Sequence, residues 1–223
     1  MATYKNLTII GTSHIAVESI KEVTSFIKEK KPEIIALELD NPRFLSLMQK
    51  GKTAKFTLLK EMGPKVFLLN LLGSYVEKKL GKLVGVSPGE EMKRAALLAK
   101  KQKAKIALID QDARITLKKL TNIPRKEKWR IFKDIINGLL KRGPKTKIDL
   151  TKVPDKEFIK TVLEKIKERY PEIYSILIKE RNVYMAKGLY KIMTLYPQAN
   201  ILAVVGAGHK SGLLEEIKKY EKN

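Results

Sequence analysis

The clearest pattern in the chain is a set of short apolar runs separated by amphipathic stretches. Four runs have the length and the aliphatic content of buried strands: residues 4–10, 33–39, 105–110 and 200–206. Between the first two, apolar residues recur at helical spacing from Val17 to Ile27. A strand, a helix and a strand in so short a stretch predict a βαβ unit with parallel strands. We therefore expect an α/β fold with a mostly parallel central sheet and helices on both faces.

The remaining stretches predict helices. Asn41 is expected to cap a helix in which Pro42 is the first residue, and Ser87 to cap another that continues to about residue 102. Residues 52–85 and 124–196 carry apolar helical faces and predict a helical insertion or lid over the sheet. No shift in composition divides the chain, so residues 1–223 are predicted to form a single α/β domain.

Composition narrows the class of protein. The chain is 43 % hydrophobic, and none of its apolar runs reaches the roughly 18 residues of a membrane span. It shows no signal peptide and has no cysteine, which excludes disulfides and suits a reducing compartment. These features predict a cytoplasmic protein.

The net charge of +22 has three readings. Lysine-rich surfaces are common in heat-adapted proteins, whereas nucleic acid or an anionic membrane surface would also attract such a chain. Nucleic-acid binding is disfavoured because the aromatic residues stand at positions typical of helix packing. The examples are Tyr170, Tyr174, Tyr184 and Tyr190.

Candidate chemistry lies at the predicted strand ends. The two histidines, His14 and His209, each follow an apolar run and a Gly-x-x-His motif. Other strands end at Glu38 and Asp40 and at Asp110 and Asp112. Since ligands of parallel sheets bind beyond the carboxyl ends of the strands, these side chains are expected to meet at one edge. Gly11, Gly206 and Gly208 permit tight turns and close backbone approach there, and are candidates to line a cofactor.

This set of side chains allows three interpretations. Two imidazoles with a carboxylate suit a divalent transition metal such as Mn, Co or Zn, and His14, His209 and Glu38 are its candidate ligands. Metal-free chemistry is equally open, with one histidine as general base and a glutamate orienting it. In the structural interpretation each histidine caps a helix and the carboxylates pair with Arg43 and Arg114. Arg181 could point inward and hold a carboxylate or an oxyanion.

Five ordered blocks of the sequence resemble the TraB (TraB/PrgY) family, especially its archaeal members. They are "IIGTSHIAVESIKEV", "IIALELDNPRF", "PGEEMKRAALLAKKQKAKIALIDQDARITL", "ERNVYMA" and "VVGAGHKSGL", and they extend over almost the whole chain. The resemblance implies an α/β core with paired Gly-x-x-His motifs, shared with the Tiki proteases and with the erythromycin-esterase and ChaN-like proteins. Some Tiki relatives are metal-dependent proteases, and the bacterial namesakes are linked to shutdown of a peptide pheromone.

The resemblance implies functional roles for the residues that match the family motifs: His14, Glu38, Glu91, Arg181 and His209. Glu91 otherwise fits an ordinary helix-dipole role in a first turn. Two positions depart from the family pattern: Asn182 stands where an Asp is usual, and Gln111 where an Arg is usual. These departures weaken any role for those two positions, and we expect them to leave the histidines and Glu38 unaffected.

The resemblance implies a metal-dependent hydrolase acting on a peptide or a small molecule, with Glu38 as base or ligand and Arg181 steadying negative charge. A non-catalytic domain that binds a small ligand or regulates, with the same pocket, is the alternative. Many archaeal relatives continue into a C-terminal membrane segment, which implies a soluble domain of a longer protein on the cytoplasmic face of a membrane. A homo-oligomer is compatible with the sequence.

Overall fold

The computed structural model describes residues 1–12, 17–49, 89–139 and 156–221. The strands are β1 Ala2–Tyr4, β2 Leu7–Thr12, β3 Ile34–Leu37, β4 Lys105–Leu108 and β5 Ile201–Gly206. The helices are α1 Val17–Lys30, α2 Asn41–Met48, α3 Glu90–Gln102, α4 Ala113–Thr121, α5 Arg125–Leu139, α6 Lys156–Arg169, α7 Pro171–Tyr174, α8 Glu180–Leu195 and α9 Lys210–Lys219. A π-helical turn, Ser175–Lys179, joins α7 to α8.

The sheet has the strand order β1-β2-β5-β3-β4. β2, β5, β3 and β4 are mutually parallel, and β1 pairs antiparallel with β2. The predicted α/β class and the mostly parallel sheet are therefore confirmed. The expected βαβ unit has parallel strands, but β5 lies between β2 and β3, so the last strand of the chain occupies the centre of the sheet.

Helices cover both faces of the sheet because its central strands are buried on both sides, as in other parallel sheets. On one face, Ile9 and Ala203 pack with Met185 and Leu189 of α8 and with Leu213 of α9. On the other, the alternate strand residues pack against α1 and α3; the main contributors are Ile10, Ile35, Val204, Val23, Ile27, Met92 and Ala96. The result is a three-layer α/β/α core.

Several local predictions need correction. The run 4–10 is two strands, because a turn at Lys5, which has a φ of 50°, reverses the chain. Asp40, and not Asn41, caps α2: its side chain accepts a hydrogen bond from the Arg43 backbone N–H. Helix α3 begins at Glu90 after Gly89, and Ser87 lies outside the described residues. Tyr184, expected to pack, is 53 % exposed.

The predicted helical insertion is confirmed where the structure describes it. Helices α5 to α8 occupy the 124–196 region, whereas residues 52–85 lie outside the described part of the chain. Leu163 of α6 lies 3.8 Å from the position of a β-carbon built on Gly208, so α6 reaches over the end of β5. None of the helices within the described ranges is long and apolar enough to cross a bilayer.

Candidate functional site

The carboxyl ends of the central strands lie side by side. Gly11 pairs with Val205, and Thr12 with Gly206, in the parallel ladder of β2 and β5. The ladder continues beyond the strands, since the Ala207 N–H donates to the Thr12 carbonyl at 2.8 Å. Both Gly-x-x-His motifs therefore start from neighbouring strand ends, as the sequence predicted. His14 itself lies outside the described residues.

Glu38 follows β3 directly and is 5 % exposed. Its backbone N–H donates to the Val204 carbonyl, which keeps it in line with the sheet. One carboxylate oxygen, Oε2, accepts the Gly206 N–H at 2.6 Å, and the other, Oε1, accepts from Arg181 Nη2. The glutamate is thus fixed between the end of the neighbouring strand and the Arg181 guanidinium.

Arg181 is the centre of the cluster. Its guanidinium donates from Nε to Asp110 Oδ1 at 3.0 Å and from Nη2 to Asp110 Oδ2 at 2.7 Å, besides the bond to Glu38. Nη1 lies 3.3 Å from the Leu177 carbonyl and 3.1 Å from His209 Nε2. An arginine has five N–H donors, and in this conformation each has an acceptor within the protein.

The π-helical turn precedes Arg181 by two residues. Such turns are rare, are frequent at functional sites and alter the i→i−4 ladder locally. Here the turn supplies the Leu177 carbonyl, which accepts from the Arg181 side chain. Glu180, the adjacent residue, points outward and pairs with Lys119. One of the two neighbouring charges faces solvent and the other the interior, as helical geometry requires.

Asp110 is the second acid of the cluster. Burial would by itself raise the pKa of this carboxyl, but the hydrogen bonds and charges of Arg181 and Arg43 outweigh burial and hold the pKa below its ordinary value. The pKa of Arg181 is raised: burial works against the charged form, and Asp110 and Glu38 overcome it. Asp110 and Arg181 therefore stay ionised near neutral pH, as a paired carboxylate and guanidinium.

His209 completes the cluster through both ring nitrogens. Its Nδ1 lies 2.7 Å from Asn182 Oδ1, and its Nε2 lies 3.1 Å from Arg181 Nη1 and 3.4 Å from Glu38 Oε1. Arg181 can only donate, so Nε2 accepts and Nδ1 carries the proton that it donates to Asn182. These contacts favour the tautomer with its proton on Nδ1, so that Nε2 faces the guanidinium and Glu38.

The structural interpretation holds for some side chains and fails for His209. Arg43 pairs with Asp40 and Asp110, and Arg114 pairs with Asp112. His209 occupies the N-cap position of α9, but its side chain makes no cap hydrogen bond. It is 5 % exposed and is turned into the cluster instead.

The other residues predicted for the site are the three glycines and Glu91. Gly11 allows close approach, because a β-carbon there would lie 3.1 Å from Ala207 Cα and 3.0 Å from Lys210 Cδ. Gly206 contributes its N–H to Glu38, and Gly208 lies beneath Leu163 and Ile178. Glu91, in the first turn of α3, is 1 % exposed.

Sequence reasoning missed two members of the cluster. The sequence places Asp110 at a strand end but assigns it no role in the site. The prediction that the departure at Asn182 leaves the histidines unaffected is wrong, because Asn182 contacts His209 directly. The one signal in the sequence is its place directly after Arg181, in the block "ERNVYMA".

The donor chemistry of the cluster suits a cation. Glu38 Oε1, the Asp110 carboxylate and His209 Nε2 each contact the Arg181 guanidinium, at different nitrogens. Within the described part of the chain there is no group of three or more His, Asp or Glu side chains that could hold a metal ion. Glu38 and His209 fit as two ligands of a divalent ion, and His209 has the partner on its other ring nitrogen that is usual for a metal-binding imidazole.

Fold and cluster together define an α/β protein with buried polar residues at the carboxyl edge of its parallel sheet. The sequence model of the TraB/PrgY/gumN family matches residues 2–221, so the chain belongs to this family. It is 38 % identical over 219 residues to an uncharacterized protein of Methanocaldococcus jannaschii, a match that covers 96 % of this chain and 53 % of that protein.

More distant similarity extends to mammals. TraB domain-containing proteins of Bos taurus and Homo sapiens are each 23 % identical, over 230 and 234 residues. These matches cover 92 % of this chain and 60 % and 61 % of the two proteins. The chain thus spans between half and two thirds of the length of these relatives.

Proposed function

We propose that this protein is a metal-dependent hydrolase that acts on peptides, with its reacting centre at the Glu38–Arg181–His209 cluster. The observation that carries the proposal is the convergence of these side chains on the carboxyl edge of the sheet, where Glu38 and His209 are buried and the Arg181 side chain is 15 % exposed. Buried charges contribute little net stability, because their desolvation offsets their attraction. A cluster of this kind at a ligand-binding edge is therefore better explained by chemistry than by folding.

Glu38 and His209 have the geometry for proton transfer and ligation. Asn182 holds the imidazole in the tautomer whose Nε2 lone pair faces the centre of the site, where it can accept a proton from water or bind a cation. Glu38 Oε1 lies 3.4 Å from this nitrogen, close enough to share the same water or ion. The Gly206 N–H fixes the other oxygen of Glu38 and thereby its orientation.

The proposed metal is Mn, Co or Zn, held by Glu38 and His209 together with His14. When bound, such an ion acidifies a water and polarises a carbonyl. Arg181 faces the same two donors, so it must move aside for the ion or remain next to it as a second cation. In the first case its freed N–H groups can bind a carboxylate or the developing oxyanion of the substrate. Glu91, in the first turn of α3, is a secondary candidate for a catalytic carboxylate.

A second function is favoured by one specific observation: all five donors of Arg181 already have acceptors within the protein. A guanidinium saturated in this way offers nothing to a transition state, which suits a non-catalytic domain that regulates or binds a small ligand. The two functions differ in whether Arg181 can leave its partners.

The test is hydrolysis of a mixed library of internally quenched peptides by the chain in Mn²⁺, Co²⁺ or Zn²⁺. We expect metal-dependent cleavage that Glu38→Gln reduces at least about 100-fold, in the range of losses seen when a proton-transfer group is removed. Glu180→Gln is the matched control, since it changes an outward carboxylate beside Arg181. No cleavage with any of the three metals, or equal activity of wild type and Glu38→Gln, supports the non-catalytic function.

A further inference from the structure

Helix α5 presents an exposed aromatic pair to solvent. Trp129 is 70 % exposed and Phe132 is 54 % exposed, and their rings contact edge to face with centroids 5.7 Å apart. They stand three residues apart and therefore on the same side of the helix. Large aromatic side chains are costly to leave in water, so a pair on one exposed helix face indicates a binding surface.

The acidic side chains of α5 are turned away from this face. Glu127 is 4 % exposed and accepts the backbone N–H groups of Glu172 and Ile173 at the start of α7. Asp134 pairs with Arg169 and Tyr170. The acids of the helix are thus engaged by the protein itself, and the described side chains around Trp129 and Phe132 on the outer face are basic.

The basic side chains flank the aromatic pair on both sides. Helical geometry places Lys126 and Lys133 along one side of Trp129 and Phe132, and Lys128 along the other. All three lysines are exposed. An open depression runs beside the rings; its lining residues are Lys126, Trp129, Arg130, Phe132 and Lys133. An aromatic centre between basic flanks is the arrangement of helices that lie in the interface of an anionic bilayer.

We propose that α5 docks the protein onto an anionic lipid bilayer, with Trp129 and Phe132 entering the headgroup region and the flanking lysines contacting lipid phosphates. Tryptophan suits this position because its ring is apolar and its indole N–H stays hydrated. Lysine stems can cover apolar surface while the ammonium group remains at the headgroups. A second copy of the chain is a poorer partner, because two molecules of net charge +22 repel each other.

Single-stranded nucleic acid is also a poorer partner than the bilayer. Sequence-tolerant binding of single strands uses aromatic faces on which successive bases stack. The two rings are inclined at 85°, so the edge of one covers the face of the other. The pair therefore does not offer two parallel faces to adjacent bases.

The experiment uses the chain's single tryptophan, because its fluorescence reports on Trp129 alone. The protein is titrated with vesicles of phosphatidylcholine, and with vesicles of phosphatidylcholine and phosphatidylglycerol in equal parts. Binding is measured by co-sedimentation and by the wavelength of tryptophan emission. We expect binding and a blue shift with the anionic vesicles only. Anionic-vesicle binding without a blue shift would contradict docking through α5, and so would equal binding to both vesicles.

Paired variants separate this face from the general charge. Lys126→Glu/Lys133→Glu is expected to weaken binding by roughly 30-fold or more, since the attraction of each basic residue to an anionic surface corresponds to about five-fold. Lys100→Glu/Lys101→Glu changes the net charge equally, on two exposed lysines of α3, and should lose far less. Equal losses for the two variants would overturn the proposal.

Two further measurements complete the test: a variant without the Phe132 ring and a competition with nucleic acid. Phe132→Ala removes an exposed ring that is not in the core, so the variant should fold normally, and we expect it to bind anionic vesicles at least several-fold more weakly. Polyuridylate is added as a competitor. If polyuridylate quenches Trp129 and anionic vesicles do not, the face binds nucleic acid and the lipid proposal is wrong. Neither arm requires hydrolase activity, so both are independent of the proposed function.

Discussion

The amide oxygen of Asn182 lies 2.7 Å from Nδ1 of His209, and both side chains are buried. Gly212, in the first turn of α9, makes room for this contact: a β-carbon there would lie 2.4 Å from Asn182 Nδ2. The imidazole is therefore held from one side by an amide and from the other by Arg181. The amide and the guanidinium together set which ring nitrogen faces Glu38.

Replacing Asn182 with Ala should weaken the preference of the His209 ring for one tautomer. In the wild type we expect the His209 ring to be in the Nδ1–H form, because Asn182 Oδ1 accepts from Nδ1 and Arg181 can only donate to Nε2. In Asn182→Ala, Nδ1 loses its acceptor and only the Arg181 contact still favours this form, so a share of the Nε2–H form should appear. Nitrogen NMR of the imidazole rings measures this directly, since the chain contains only two histidines.

The same variant separates a positioning role from a structural one. Loss of the outer hydrogen bond of a metal-binding histidine typically lowers metal affinity by about 10–100-fold, and we expect a loss of this size for Asn182→Ala. Asn182→Asp restores an acceptor and should recover tight binding. If both variants bind metal as tightly as the wild type, Asn182 does not position a ligand.

Removing the guanidinium should destabilise the protein strongly. Arg181→Met leaves Glu38 and Asp110 buried without their shared cation, and breaking a buried pair from one side costs about 3–5 kcal/mol. Arg43→Met is the matched control, because Arg43 also pairs with Asp110 but its side chain is 40 % exposed. We expect the control to cost about 1 kcal/mol or less. Urea unfolding of both variants measures the difference, and equal losses would argue against a buried charge cluster.

Much of this site was predictable from strand ends, and part of it was not. Glu38 lies at the end of one apolar run, and His209 follows another by a few residues. Because ligands bind beyond the carboxyl ends of parallel strands, this placement and the family resemblance put the two residues together. Arg181 lies on a helix, and only the resemblance and its pairing with outward Glu180 marked it as inward. The contact between Asn182 and His209 depends on how α8 is rotated, which the π-helical turn sets. No local sequence pattern specifies that turn.

The fold, like the site, was only partly predictable from the sequence. Continuous apolar runs located the parallel strands to within a few residues, because strands buried on both faces lack alternation. The order of the strands was not predictable from these runs: β5 enters between β2 and β3 only through pairings that span most of the chain. The sequence does not separate β1 from β2, because Lys5 adopts a positive φ without the glycine that usually signals such a turn.

Asp110 should make the protein sensitive to acid. Its pKa in the folded state is held below the ordinary value of 3.8 by Arg181 and Arg43, which outweigh the opposing effect of burial. A depressed pKa contributes stability that is fully present above 3.8 and is lost as the pH falls through the lower folded value. Asp110→Asn should therefore show a smaller loss of unfolding free energy than the wild type as the pH falls below 3.8.

Asp134 supplies the control for this pH dependence. Hydrogen bonds from Arg169 and Tyr170 lower its pKa to about 2, but this pair lies at the surface. Salt screens exposed pairs much more than buried ones. In high salt, Asp134→Asn should leave the acid dependence of stability unchanged from that of the wild type, whereas the effect of Asp110→Asn should persist. Chemical denaturation as a function of pH, at low and high salt, distinguishes the two.

A core substitution should separate stability from site chemistry. Ile35 is fully buried in β3 and pairs in register with Ile106 of the edge strand β4, which is 36 % exposed. Ile35→Ala should cost roughly 2–5 kcal/mol, while the folded fraction keeps the metal affinity of the wild type. Ile106→Ala, the matched control, should cost clearly less. Thermal unfolding and calorimetric titration give the two readouts, and equal losses of stability would contradict the layer assignment.

The central claim, that the histidines at the two strand ends and Glu38 hold a metal, is tested most directly by one paired measurement. Metal-free wild type, His14→Ala and His209→Ala are compared by calorimetric titration with Mn²⁺, Co²⁺ and Zn²⁺, alongside their melting temperatures without metal. We expect the wild type to bind at least one ion and both variants to lose that binding while remaining cooperatively folded. Variants that bind as tightly as the wild type, or a wild type that binds none of the three ions, would contradict the claim.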